Sequence, residues 1–123
     1  MNKLDELLNL AKDAIKNIDW HALGRIMAEI DKAENNPRVN GAESIRLLKY
    51  FHDPEISKTK VPLDKWIDYT LGYGKGASLS HDDIQKDLLF TKKVTENILK
   101  KQKTASLNLY DKCTLFYRIV KCE

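Results

Sequence analysis

Turn-forming residues are scarce in this chain, which has 5 glycines and 3 prolines among 123 residues. A fold made of many short strands needs a turn about every ten residues, so the scarcity favours a few long elements. The hydrophobic fraction of 42% and the charged fraction of 32% are typical of a folded globular chain rather than a disordered one. We therefore expect one helical domain spanning residues 1–123.

Long apolar runs and paired cysteines are also lacking. No run approaches the length of about 20 residues that a membrane-spanning helix needs, and the N-terminal segment lacks the apolar core of a signal peptide. Cys113 and Cys122 are nine residues apart, which places them on opposite faces of a helix or a strand. The sequence predicts no disulfide, no membrane contact and a cytoplasmic location, or a nuclear one in a eukaryote.

Groups that could perform chemistry are few and scattered. His21, His52 and His81 fall in separate predicted elements, and none has a second histidine or cysteine at the spacing of metal ligands. No nucleophile stands beside a base in a recognisable pattern. We therefore expect neither an enzyme nor a bound cofactor or metal.

Apolar residues recur at the helical spacing of three and four along most of the chain, which predicts an all-α bundle of about five or six helices. Asp19 is placed to cap the second helix, and Gly24 within it indicates a close crossing with another helix. A third helix is expected at about 42–51, and the stretch 55–61 as a loop or a short extended segment. Pro62 suits the first position of a fourth helix. The first helix is expected to bury Leu4, Leu7, Leu8, Ala11, Ile15 and Ile18.

Three glycines, Gly72, Gly74 and Gly76, alternate within five positions and raise the question of a phosphate-binding loop. Their spacing matches neither the dinucleotide fingerprint nor the Walker loop, and no strand is predicted before them. We interpret the stretch as a joint between two helices, in which Gly72 ends the fourth helix in the left-handed conformation. Ser80 then caps the fifth helix, with Asp83 three residues later in the capping-box arrangement.

The apolar spacing predicts the fifth helix clearly, whereas the tail that follows it fits both a helix and a strand. Apolar residues of the fifth helix recur at helical spacing. Residues 113–120 are rich in strand formers yet also fit a helical stripe. Because no second strand is indicated anywhere in the chain, the tail is predicted as helix. The residues expected to face inward from the fifth helix are Ile84, Leu88, Val94, Ile98 and Leu99.

Basic residues concentrate toward the C-terminal part of the chain, whose formal net charge is +3. Residues 1–36 hold 5 basic and 7 acidic side chains, whereas residues 81–123 hold 9 and 6. Lys86, Lys93 and Lys100 are spaced by seven and therefore form one stripe, here called the lysine stripe, along the helix near 81–103. The stripe is interpreted as a solvated face, as a contact for phosphates, or as a contact for an acidic protein surface.

Two further residues are predicted to contact a partner. Tyr73 and Lys75 lie in the glycine-rich stretch, and a tyrosine and a lysine on a loop are good contact residues. Tyr73 equally suits folding back over the core. Together with the lysine stripe, these two residues make up the predicted partner-binding set.

A short resemblance concerns Leu47-Leu48-Lys49-Tyr50 followed by Gly74-Lys75 ahead of a basic helix. This order is similar to the helical N-terminal domain of transcription elongation factors. The match covers only these residues and lacks the tryptophan-lysine element that closes that domain. It therefore implies no function here, and no site residue is assigned from it.

The sequence as a whole favours a small accessory or regulatory protein that acts by binding a macromolecule, most of all another protein. The alternative is a nonspecific nucleic-acid-binding protein that uses the lysine stripe, because lysines without clustered arginines give salt-dependent contacts of low sequence specificity. The pattern sets no oligomeric state.

Overall fold

The computed structural model describes residues 3–34, 54–102 and 106–108. Helical segments dominate these residues and confirm the all-α class, with one small sheet added. The elements are α1 (Lys3–Lys16), α2 (Trp20–Glu34), α3 (Pro54–Ser57), β1 (Lys60–Pro62), a 3₁₀ turn (Leu63–Lys65), α4 (Trp66–Gly76), α5 (His81–Gln102) and β2 (Ser106–Asn108).

The number of helices differs from the prediction. Within the described ranges, four helices have eleven residues or more, and α3 is a single turn, so five or six bundled helices are not matched. The third helix predicted at about 42–51 and the tail at 113–120 lie outside the described residues, as do both cysteines. Pro62 ends β1 and precedes the 3₁₀ turn, so it does not open the next α-helix as predicted.

The four long helices pack in a row: α1 lies on α2, α2 on α4, and α4 on α5. Their shared core is built from large side chains that are almost fully buried. β1 and β2 form an antiparallel pair in which Val61 lies opposite Leu107, so the expectation that no second strand exists is wrong. The largest fully buried side chains are Trp66, Tyr69, Leu23, Met27, Ile30, Ile56 and Val61.

Two short breaks set the directions of the helices. α1 ends in a Schellman motif, in which the amide of Asp19 donates to the carbonyl of Ala14 and that of Ile18 to Ile15. Ile18 takes the left-handed position with φ 56° and is 68% exposed, so its prediction as a core residue of the first helix is wrong. The Asp19 carboxylate then accepts the amide of Ala22 at 3.1 Å, which confirms the predicted cap of α2.

α4 ends in the same way, and this corrects the interpretation of the glycines. Gly72, Gly74 and Gly76 all lie inside α4, and the left-handed residue after the helix is Ser78, with φ 58°. The amide of Leu79 donates to the carbonyl of Gly74 across this turn. Gly72 therefore does not end the helix.

The glycines are required instead by contact between α2 and α4. A Cβ on Gly72 would lie 2.0 Å from the carbonyl oxygen of His21, and one on Gly24 would lie 2.0 Å from that of Tyr69. A Cβ on Gly76 would lie 2.6 Å from the carbonyl oxygen of Arg25. The two helices thus meet backbone to backbone along a seam of small residues, which confirms the close crossing predicted for Gly24.

Candidate functional site

The rotation of α5 about its axis decides which of its side chains are available to a partner. Its inward face is partly polar: Asp87, Thr91 and Thr95 are buried together with Val94 and Ile98. This pattern fixes the opposite side of α5 as the face open to solvent. Leu99, which was predicted to face inward, is 54% exposed.

Hydrogen bonds hold the polar part of that inward face. The hydroxyl groups of Thr70 on α4 and Thr91 on α5 lie 3.0 Å apart in a buried contact between the two helices. The Thr95 hydroxyl donates to the carbonyls of Thr91 and Lys92, within α5 itself. Because hydroxyl pairs are directional, the Thr70–Thr91 contact favours the same rotation of α5 against α4 as the burial of Val94 and Ile98 does.

The outward face of α5 carries the lysine stripe. Lys86, Lys93 and Lys100 are all exposed, as predicted from the apolar residues expected on the other side of the helix. Successive stripe lysines are about 10 Å apart along the axis at the helical rise. Leu89, which was not predicted as a contact residue, lies on the same side, about 180° from the buried Ile98, and is 56% exposed.

We call this surface the basic face, defined by the lysine stripe and Leu89. Leu89 follows Lys86 by three residues and precedes Lys93 by four, so both lysines flank it within about 60° of rotation. Asp82 and Glu96 are exposed toward the two ends of the same face. The surface is therefore a band with an apolar centre, flanking cations and an acid near each end.

α5 begins where the sequence indicated. The amide of Asp83 donates to the Ser80 hydroxyl at 3.2 Å, which confirms Ser80 as the N-cap. Asp82 and Asp83 occupy the first turn, where the helix dipole favours negative charge. These acids disfavour an anion at this helix end and leave the basic character of α5 to its later turns.

The other two residues of the predicted partner-binding set lie on α4. Lys75 is exposed in the last turn, on a different helix from the lysine stripe. Tyr73 was expected on a loop, and this is wrong: it lies inside α4 and is 4% exposed. Its hydroxyl donates to the Asp31 carboxylate at 2.5 Å, in a buried contact between α2 and α4. Tyr73 is thus placed to stabilise the fold and is not part of the open surface.

A second exposed face, on α1, also escaped sequence analysis. Glu6 and Asp13 are exposed, and between them lies Leu10, which is 50% exposed. Lys3 and Asn17 extend the same side of the helix toward its two ends and are also exposed. We call these five residues the acidic face. The sequence indicated this face only through Leu10, which lies outside the buried stripe, four residues after Glu6 and three before Asp13.

The described residues form neither a metal-binding cluster nor a membrane-spanning helix. In the part of the chain that the structure describes, no three histidine, cysteine, aspartate or glutamate side chains come close enough to hold a metal ion. None of the described helices has the length and apolar composition that crossing a bilayer requires.

Comparison with known proteins adds no relative. No family model, curated protein or solved structure matches this chain.

Proposed function

We propose that this protein is a small accessory protein without catalytic activity that binds another protein through the basic face of α5. The observation that carries the proposal is Leu89, a large apolar side chain left 56% exposed between two lysines. The cytoplasmic location, the single domain and the lack of a cofactor belong to the same proposal.

Leu89 is the apolar centre of the basic face. Covering a half-exposed leucine removes apolar surface from water, which stabilises a complex by about 25 cal/mol per Å² of apolar surface covered. The flanking lysines can lay their methylene stems along the partner and keep their ammonium groups at the wet rim. An apolar centre within a polar rim is the anatomy of a protein-binding surface.

Charge then specifies the kind of partner. Lys86 and Lys93 flank Leu89 and raise the association rate with an acidic surface, and they disfavour basic partners. The face therefore fits a protein surface that presents an apolar side chain between carboxylates. Such a contact weakens as salt rises, because exposed charges are screened beyond about 10 Å at 0.1 M ionic strength.

Nucleic acid fits the same face less well. Phosphates gain from cations and from hydrogen-bond donors, and Leu89 offers neither. Asp82 and Glu96 on the same side of α5 repel a phosphate backbone that follows the helix. The described residues thus favour a protein partner, and nucleic-acid binding becomes the competing outcome of the experiment.

The test places a photo-crosslinking amino acid at Leu89 and, as a matched control, at Lys101, which is exposed on the same helix about 120° away. In the native cells we expect protein adducts from position 89 and few from position 101. Adding Lys86→Glu and Lys93→Glu should lower the yield about tenfold through the association rate.

Two results would overturn the proposal. One is the same yield of adducts from positions 89 and 101, which would show that the basic face has no preferred partner. The other is adducts at position 89 that disappear on nuclease treatment, which would promote the nucleic-acid alternative.

A further inference from the structure

The acidic face of α1 has the chemistry that the basic face of α5 requires of a partner. We propose that two copies of this chain associate through these faces, with α1 of one copy lying antiparallel on α5 of the other. The inference rests on the proposed function, because it names the protein that the basic face binds.

The spacing of exposed residues carries the argument. On α1, Leu10 follows Glu6 by four residues and precedes Asp13 by three. On α5, read from its C-terminal end, Leu89 lies four residues from Lys93 and three from Lys86. The two series coincide when the helices run in opposite directions, and each leucine then meets the other leucine at the same height. The three layers are Glu6 with Lys93, Leu10 with Leu89, and Asp13 with Lys86.

The match extends beyond these three layers. Continuing the same register toward the start of α1 brings Lys3 opposite Glu96. The acidic face carries a cation at this layer and the basic face carries an acid, so the pair is again of opposite charge. In the other direction, Asn17 comes opposite Asp82, and an amide can donate to that carboxylate. All ten side chains of these five layers are exposed, so each is available to a second copy.

This register explains why acids lie near the ends of the basic face, whereas a phosphate ligand would leave them unexplained. Glu96 interrupts a run of lysines, yet it faces the single cation of the acidic face in this register. Opposite charges facing each other across two helices favour one alignment, and a shift by one turn would bring like charges together. The charge pattern therefore specifies the register as well as the attraction.

The position of the two helices determines the form of the assembly. α1 and α5 are the first and last helices of the packed row, so the contact joins different faces of two identical molecules. A dimer joined by one such heterologous contact leaves one acidic and one basic face unpaired, and further copies add unless a ring closes. The contact spans about 21 Å of helix with one apolar layer, which is typical of a weak, reversible interface.

The test follows the mass of the purified protein by sedimentation velocity as concentration rises to about 1 mM at low salt. For the wild-type chain of 14.2 kDa, we expect the average mass to rise beyond that of a dimer and to fall again when salt is added. The variant Glu6→Lys/Asp13→Lys, with two basic faces, should stay monomeric.

Charge exchange makes the test specific. The variant Lys86→Glu/Lys93→Glu has two acidic faces and should also stay monomeric alone. Mixing it with the first variant should restore association, because each then offers what the other lacks. The matched control Lys58→Glu/Lys65→Glu makes the same change in net charge at exposed positions outside both faces and should associate about as the wild type does.

Three outcomes would overturn the inference: a wild type that stays monomeric, a mixture that stays monomeric, or a control variant that loses association. Far-UV circular dichroism of each variant shows whether its helices remain folded. If position 89 still forms adducts with a different protein, the proposed function stands while this inference fails. Adducts of twice the chain mass from position 89 support both.

Discussion

Gly72→Ala tests the backbone contact between α2 and α4. The added Cβ would lie 2.0 Å from the carbonyl oxygen of His21, whereas a carbon–oxygen contact needs about 3.3 Å. The helices must therefore move apart by about 1.3 Å, because a carbonyl inside a helix cannot rotate away. Overpacking of this kind costs about 3 kcal/mol at its upper range, and alanine regains about 1 kcal/mol in helix propensity. We expect a net loss of about 2 kcal/mol.

Gly74→Ala is the matched control, since it makes the same substitution two residues further along the same helix. Its Cβ would lie 2.7 Å from Cγ1 of Ile84, which belongs to a partly exposed side chain rather than to a helix backbone. Ile84 can turn away at a cost of about 1 kcal/mol, which the gain in helix propensity offsets. The free energy of unfolding should therefore stay near that of the wild type.

Urea unfolding followed by far-UV circular dichroism measures both variants. A difference of about 2 kcal/mol corresponds to a gap of about 8 °C in melting temperature for a chain of this size. If Gly72→Ala is as stable as the wild type, or if Gly74→Ala loses as much as Gly72→Ala, the backbone seam is not the reason for these glycines.

Three smaller perturbations probe other features. Ile18→Gly should raise the free energy of unfolding by about 1 kcal/mol, because it removes a Cβ from an exposed left-handed residue; an unchanged denaturation midpoint would contradict this. Tyr73→Phe should lower it by about 2 kcal/mol, since it deletes the buried hydrogen bond to Asp31, and a stable variant would show that the bond contributes little. Ser80→Ala should lower it by about 1 kcal/mol and Ser80→Gly by only a few tenths, so equal losses would argue against a capping role.

The sequence predicted those elements whose signals are local. Asp19 and Ser80 were recognisable as caps because a cap acts on amides within three residues. The lysine stripe followed from its spacing of seven, and its exposure followed from the apolar residues on the other side of the helix. Gly24 was recognised as a crossing point because a glycine inside a helical pattern needs a tertiary reason.

Other features depend on contacts that no local pattern records. Gly72 resembled a helix terminator because glycine is common at that position. A glycine is required there because the carbonyl of His21, far away in the sequence, leaves no room for a Cβ. Ile18 takes a position at which β-branched residues are rare, so no propensity indicates it. Each strand has three residues, too few to show an alternating pattern.

The candidate site was predicted in part for the same reason. The cations of α5 were found from the sequence, but Leu89 was not, because its exposure depends on how α5 is rotated. The buried face that defines this rotation includes Asp87, Thr91 and Thr95, and polar residues at helical spacing do not form an apolar stripe. Tyr73 was misplaced because its neighbouring glycines indicated a loop.

The partly polar contact between α4 and α5 has a consequence for how the molecule opens. A seam of backbone against backbone loses many close contacts at once when it separates, so we expect α2 and α4 to be the last helices to separate. The Thr70–Thr91 contact can exchange its one hydrogen bond for bonds to water at small cost. We therefore expect the helix that carries the basic face to separate from α4 before α2 and α4 separate from each other.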